Sequence, residues 1–406
     1  MTPPTRADAS ALDDADPLAP FVDRFVVDDP ALVYLDGNSL GRLPGTTRDR
    51  LRTAIDDEWG ADLVRGWDRW IDLPTDVGDR LAPLIGARPG EVLVCDSTTV
   101  NLYKLVAAVL EARPDRTEVL VPADEFPTDR YVVDGLAAAL GRTVRHGSPE
   151  DADARTAVVV SSLVDYRTGA LTDLTSASAA AHRAGAAMCW DLSHAVGSVE
   201  VDLTAAGADL AVGCTYKHLC AGPGAPAFLY VRSGLHDELR SPIWGWFAQR
   251  DQFAMASGFD PDVGVRRFLT GTPNVLGLFA VDEGIALVSA AGAARLAAKG
   301  SALTQLAIEL ADSWLAPLGF VVVSPREPAG RGAHVSMQHV DAYQIARALR
   351  ADANVVVDVR PPDLLRIGPA PISTRFVDVW DGLDRMREVV ATGSHHRHSR
   401  EPGRVT

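Results

Sequence analysis

Lysine is scarce in this 406-residue chain, three against 36 arginines, so a lysine at the edge of a sheet stands out. Lys217 closes a strand-like run, Asp209-Leu-Ala-Val-Gly-Cys-Thr-Tyr-Lys217. An earlier run of the same kind, Ala186-Ala-Met-Cys-Trp-Asp191-Leu-Ser-His194, ends on an acid and a histidine. Roughly one strand–connection–strand repeat separates the two. A lysine amine can form an imine, and an acid one strand away can hold a proton on a pyridine nitrogen. Together these are the demands of pyridoxal 5'-phosphate (PLP). The other two lysines offer less: Lys104 lies in an apolar helix-like run, and Lys299 in an Ala-rich stretch that reads as a surface helix.

Further groups fall at the same edge. Cys95-Asp-Ser-Thr98-Thr99 places hydroxyls where a strand hands over to a helix, which suits either a phosphate site or an ordinary N-cap. In Glu125-Phe126-Pro-Thr-Asp129, Phe126 can stack on a pyridine ring while Asp129 caps the next helix; packing plus capping is the plain alternative. His194 could brace a cofactor, and Tyr216 could hydrogen-bond a phosphate or relay protons. Arg366, in Leu364-Leu-Arg366-Ile-Gly, calls for a carboxylate, from the protein or from an amino-acid ligand. Cys214, His218 and Cys220 have the composition of a metal triplet, but side chains diverge at a strand end and no metal site is expected.

The elements that position these groups read as α/β. Strand-like runs at 91–95, 118–121, 156–162, 186–191, 209–214 and 226–231 alternate with helix-like runs such as 100–112, 129–140 and 174–184. Short apolar strands between helices predict a mainly parallel sheet covered on both faces, with ligands at the carboxyl ends of its strands. Asp191 and Lys217 fall at such ends. Helices are also expected over 46–60 and 75–86. After residue 300 the pattern changes to a small α+β unit: a helix at 301–317, strand-like stretches near 320, 334, 355 and 364, helices at 341–350 and 376–391. The predicted organisation is a loose N-terminal arm with one short helix over 1–30, a large domain over 31–300, a small domain over 301–392 and a disordered tail over 393–406, whose histidines are solvated.

The net charge of −15 disfavours nucleic acid and anionic membranes as partners. Four cysteines without paired spacing fit reduced, buried thiols in a cytoplasmic protein. The N-terminal residues lack the basic start and apolar core of a signal peptide, and no apolar run reaches membrane-spanning length.

The longer motifs resemble the kynureninase family, PLP enzymes of aminotransferase class V and fold type I, in its bacterial branch. The resemblance runs from Leu35-Asp-Gly-Asn-Ser-Leu-Gly to Thr374-Arg-Phe-Val-Asp-Val-Trp380. It is dense in Asp96-Ser-Thr-Thr-Val-Asn-Leu, Phe126-Pro-Thr-Asp, Val164-Asp-Tyr-Arg-Thr-Gly, Trp190-Asp-Leu-Ser-His-Ala-Val-Gly and Cys214-Thr-Tyr-Lys. It implies a large domain with a seven-stranded sheet and a small C-terminal domain. It implies Lys217 as the Schiff-base lysine, Asp191 on the ring nitrogen with His194 beside it, and Thr98, Thr99 and Tyr216 on the phosphate. Phe126 would cover the ring, and Asp129 and Asp165 would support it. Trp246 and Thr272 match positions that complete the phosphate pocket from a partner subunit, implying a homodimer with shared active sites. Arg366, with Asn38 and Ser39, would bind the substrate.

The reaction so implied is hydrolysis of L-kynurenine or 3-hydroxy-L-kynurenine to alanine and an anthranilate. The family's Gly-His after Gly245-Trp-Phe is Ala248-Gln249 here, its Gly-Thr-Pro-Pro is Gly271-Thr-Pro-Asn274, and a usual Tyr is Ser373. These departures keep open a kynureninase-like enzyme acting on a ring-modified kynurenine or another β-substituted amino acid. A cysteine desulfurase lacks its flexible cysteine loop here, and a nicotinamide dehydrogenase lacks its G-x-G-x-x-G turn. A non-catalytic PLP-binding dimer is the remaining alternative, against which Lys217, Asp191 and Arg366 stand together.

Overall fold

The structure is a computed structural model that describes residues 3–401. Its centre is a seven-stranded sheet. The strand order is Val92–Val94, Phe228–Val231, Leu210–Gly213, Ala187–Asp191, Thr156–Ser162, Glu118–Val121 and Thr143–His146. All neighbours are parallel except around Phe228–Val231, which runs antiparallel to both of its partners. The central strands are buried except for Ser162 at the end of Thr156–Ser162, which is why they read as unbroken apolar runs. The edge strand Thr143–His146 escapes the sequence reading because its Thr-Val-Arg-His side chains are exposed or half-buried.

Two apolar layers sandwich this sheet. One carries Thr98–Ala112 and the apolar side chains of Leu105, Val106 and Val109; the other includes Trp190, Leu278 and Ile285. The helix Val275–Ala291 belongs to the second layer, and its 17 residues show no polar face, so periodicity gave no sign of it.

A four-stranded antiparallel sheet, ordered Asp358–Arg360, Leu364–Ile367, Val335–Gln338 and Val321–Val322, forms the second unit. Ala293–Leu310, Ala342–Asp352 and Phe376–Ala391 pack on it around Leu303, Leu349, Leu365 and Leu383. Its first helix starts at Ala293 rather than 301. Val33–Tyr34 pairs in parallel with Val355–Val356, so the chain enters the large domain through the small one.

Three expectations are corrected here. The N-terminal residues are not a loose arm. Thr5 caps the helix Arg6–Asp14 in a reciprocal box with Asp8, and this helix lies against Phe376–Ala391 with Asp13 accepting from the Phe376 and Val377 N–H groups at 2.7 and 3.0 Å. Lys299 is not on a surface helix: its amine is buried 2.6 Å from Asp16. Within the tail, Ser394–Arg397 forms a 3₁₀ turn against Ala342–Asp352 and buries His395, so 393–401 is ordered; 402–406 lies outside the described residues. Among the described residues, no single helix is long and apolar enough to cross a membrane.

Candidate active site

Lys217 follows the strand Leu210–Gly213, and Asp191 is the last residue of its neighbour Ala187–Asp191. Parallel pairing of Asp191 with Val212 fixes the acid and the lysine on the same edge. The backbone of Gly41 crosses here, its N–H donating to the Tyr216 carbonyl at 2.8 Å. A Cβ at Gly41 would lie 2.3 Å from the Lys217 carbonyl oxygen, so only glycine permits the approach.

The Lys217 amine lies 3.0 Å from His194 Nε2 and opens into a cavity of about 150 Å³. Lys217, Asp191, His194 and Tyr216 line it together with Thr98, Thr99, Phe126 and Asp129. Eight of the fourteen residues expected at the site therefore meet around one space. Each is placed by an identifiable local feature. Ser97 caps the 15-residue helix Thr98–Ala112, with Oγ accepting from the Val100 N–H at 3.4 Å, so Thr98 and Thr99 sit at an N-terminus that favours anions. Lys104 supports this end from within, its buried amine 2.8 Å from Asp96 and 2.7 Å from the Phe268 carbonyl. Asp191 Oδ1 accepts from the Ser193 N–H at 2.7 Å. Phe126 meets Tyr166 edge-on, centroids 5.1 Å apart.

Asp129 does not cap its helix: Pro127–Leu140 begins after Phe126 without a side-chain cap, and Asp129 lies within its first turn. It is fully buried; no N–H or hydroxyl donor reaches either carboxylate oxygen, and its one polar neighbour in hydrogen-bond reach is the Asp191 carboxylate. Burial, then the neighbouring Asp191 and Glu125, hold its carboxyl well above the usual carboxylate range. Burial and the nearby Lys217 push the His194 imidazole well below its ordinary value, and its Nδ1 is likewise unpartnered. Burial raises the Tyr216 phenol. Unsatisfied buried carboxylate and imidazole atoms around an anion-favouring helix start and an amine fit a charged aromatic cofactor that brings its own donors and acceptors; PLP has that character.

Six expected residues are not on the cavity wall. Asp165 turns away, its Oδ1 accepting from the Thr168 N–H at 2.6 Å and its hydroxyl at 2.5 Å. The neighbouring Tyr166, which the sequence reading passed over, faces the cavity instead, as do Ser97, Ser162 and Ser193. Glu125, next to Phe126, accepts from the Ser162 hydroxyl at 2.6 Å and from the Phe126 N–H at 2.8 Å, so it ties two walls together. Arg366 is fully buried, and its guanidinium donates to both oxygens of Asp358, with Nε 2.7 Å from Oδ1 and Nη1 2.6 Å from the Tyr166 carbonyl. Of the two carboxylate sources left open for Arg366, the structure displays the protein's own. Ser39 donates to Asp358 at 2.9 Å, and Asn38 is buried with both amide atoms unpartnered. Trp246 and Thr272 lie elsewhere on this chain. Trp246 is 46% exposed, with its indole N–H donating to the Gln252 carbonyl at 2.8 Å, while Thr272 lines a separate cavity of about 320 Å³ beside Ser97 and Asn274.

The departures from the family pattern have local roles. Asn274 caps Val275–Ala291, its Oδ1 accepting from the Gly277 N–H at 3.0 Å, and Gln249 accepts from the Asp260 N–H at 2.8 Å. Ala248 and Ser373 are buried.

Residues 296–386 match the family model of the kynureninase C-terminal domain. The chain is 42% identical over 399 residues to the kynureninase of Pseudomonas fluorescens, with 95% of each chain covered. It is 41% identical over 402 residues to that of Burkholderia pseudomallei, with 96% of each covered. Among solved structures it resembles a cysteine desulfurase from Thermococcus onnurineus, with a TM-score of 0.77 at 19% identity over 89% of this chain and 95% of that one. The cysteine desulfurase CsdA of Escherichia coli gives a TM-score of 0.79 at 17% identity over 92% and 98%. At such identities the structural likeness speaks for the fold, which is that of the type I PLP-dependent transferases. The sequence identity over nearly the full length speaks for more: this chain belongs to the kynureninase family.

Proposed function

We propose that this protein hydrolyses the β,γ carbon–carbon bond of an L-kynurenine, releasing an anthranilate and L-alanine, with PLP bound at Lys217. The observation that carries this reading is the Lys217 amine 3.0 Å from His194 in a cavity shared with Asp191 and the hydroxyl-bearing helix start. When bound, PLP supplies an electron sink for bonds broken at and beyond the substrate Cα. The chain's own residues do the rest. Thr98, Thr99 and the N–H groups beside them seat a phosphate, and Asp191 holds a proton on a ring nitrogen. Phe126 bounds one side of the space. Lys217 Nζ moves the proton at Cα, with His194 Nε2 as its neighbour in hydrogen-bond reach. Tyr216 keeps its proton because burial raises the phenol, so its hydroxyl serves as a donor.

The α-carboxylate falls to Arg366, the buried cation of the small domain, once Asp358 yields part of its hold; the Ser39 hydroxyl lies 3.3 Å from its guanidinium, and the unpartnered Asn38 amide is next to Ser39 in the chain. Trp246 and Thr272 act on the neighbouring subunit's site in a homodimer. Exposed apolar side chains along one stretch of chain, Trp244, Trp246, Phe253 and Met255, with Trp246 edge-on to Phe253, support that assembly. All four cysteines are buried, which disfavours the desulfurase reading. Reduced thiols and the charge balance support a cytoplasmic location.

The test is borohydride reduction of the holoprotein followed by peptide mapping, with Lys217→Ala in parallel. A cofactor adduct at Lys217 and a loss of turnover of at least about 10²–10⁴-fold in the variant are expected. Appreciable activity in Lys217→Ala would sink the assignment.

A further inference from the structure

The Lys217–His194 pair has a buried neighbour that no step above employs. His334, just before the small-domain strand Val335–Gln338, is 1% exposed, and its Nε2 has no partner. Its ring lies 5.5 Å from that of His194, centroid to centroid. His194 Nδ1 is also buried and unpartnered. Two orphaned ring nitrogens on adjacent imidazoles are costly unless one is a donor and the other an acceptor that a small adjustment, or one water, brings together.

The tautomers can be worked out from Lys217, whose nitrogen is a donor. If His194 Nε2 accepts from it, the His194 proton is on Nδ1, and Nδ1–H needs an acceptor. His334 Nε2 is a buried, unpartnered nitrogen on the neighbouring ring. Burial, with the cations Arg366 and Lys217 and the His218 ring nearby and Asp358 opposing them, holds His334 well below its ordinary value, so the ring is neutral, and with its proton on Nδ1 the Nε2 lone pair is free to accept. Burial and Lys217 push His218, on the other side, down to about 3, and it too is neutral.

The position is built rather than incidental. Gly169 takes a left-handed conformation at φ +74°, and a Cβ there would meet the His334 carbonyl at 2.7 Å and Nε2 at 3.3 Å. The Gly332 N–H donates to the Gly169 carbonyl at 2.8 Å, and the Ser324 hydroxyl to that of Thr168 at 2.5 Å. The small domain thus grips the loop that carries Tyr166 into the cavity, and inserts His334 behind His194 while doing so.

Resting on the function proposed above, we infer that His334 is a positioning residue: it accepts from His194 Nδ1–H, fixing the tautomer that presents the Nε2 lone pair to the Lys217 nitrogen. The small domain thereby sets the proton affinity at the lysine without touching substrate.

The experiment compares His334→Leu, which removes the acceptor, with His334→Gln, which keeps one, as purified holoproteins. The readout is the pH profile of the long-wavelength absorbance of the cofactor held at Lys217, recorded without substrate, with Tm as the check on folding. An acceptor facing a protonated nitrogen favours the protonated form, so losing it moves the transition to lower pH. His334→Leu is expected to lower the midpoint by about one pH unit, and His334→Gln to stay near the native profile. A native profile in folded His334→Leu, or a His334→Gln profile displaced as far as that of Leu, overturns the assignment. Because no substrate is present, this outcome is distinct from a failure to cleave kynurenine.

Discussion

The amine of Lys217 has an imidazole within hydrogen-bond distance, and the carboxylates of its cavity stand with one another. Asp129 is the clearest case. Its folded value is raised above the ordinary 3.8, so the folded chain takes up a proton that the unfolded chain releases. The stability this group contributes is fully present below that ordinary value and is lost as pH rises through the folded one. Cofactor-free Asp129→Asn should therefore be more stable than the native apoprotein at pH 8, by about 1–3 kcal/mol in urea denaturation. The difference should shrink as pH falls toward the ordinary carboxylate range; equal stability at pH 8 would contradict the account. Arg366 makes the opposite case. Asp358 lies under it with no exposure, and burial beside Asp358 pushes Asp36 up to about 7. Removing the guanidinium leaves Arg360, 2.9 Å from Asp358, to compensate both acids. Arg366→Ala should lose about 3–5 kcal/mol of unfolding free energy. A raised KM at unchanged stability would instead make substrate binding its main role.

Elements were legible where one environment dominates. Strands buried along nearly their whole length, such as Thr156–Ser162 and Ala187–Asp191, read as apolar runs, and the helix Phe376–Ala391 lies where its pattern put it. The misses have physical causes. Arg6–Asp14 has a low mean hydropathy and one buried residue, Ala9, because charged and capping contacts rather than apolar area dock it. Lys299 looked solvated because its partner, Asp16, lies some 280 residues away in sequence, a pairing that no local pattern encodes. The cavity was legible through motifs at strand ends. Its wall partners Tyr166, Ser162 and Glu125 were not, since their roles depend on which side chain of a loop turns inward. The Asp358 ion pair, formed across two antiparallel strands in which Asp358 faces Arg366, likewise needed the register.

At the scale of the whole molecule, Trp246 and Thr272 decide whether one chain suffices. Neither lines the Lys217 cavity of its own chain, and Trp246 is exposed beside the exposed Phe253. If they serve the partner's site, Lys217→Ala and Trp246→Ala are complementary lesions. Mixing the two inactive variants under exchange conditions should restore about a quarter of native activity per site, because hybrid dimers carry one intact site. No recovery in verified hybrids would show that each chain builds its site alone. The most direct test of the central claim is a product assay. Purified protein with added PLP is given L-kynurenine and 3-hydroxy-L-kynurenine separately, and alanine and the aromatic acid are quantified by mass spectrometry. The account predicts equimolar alanine and an anthranilate from at least one of them, with the ratio of kcat/KM values reporting the ring preference. Neither substrate cleaved, with PLP bound at Lys217, would contradict it.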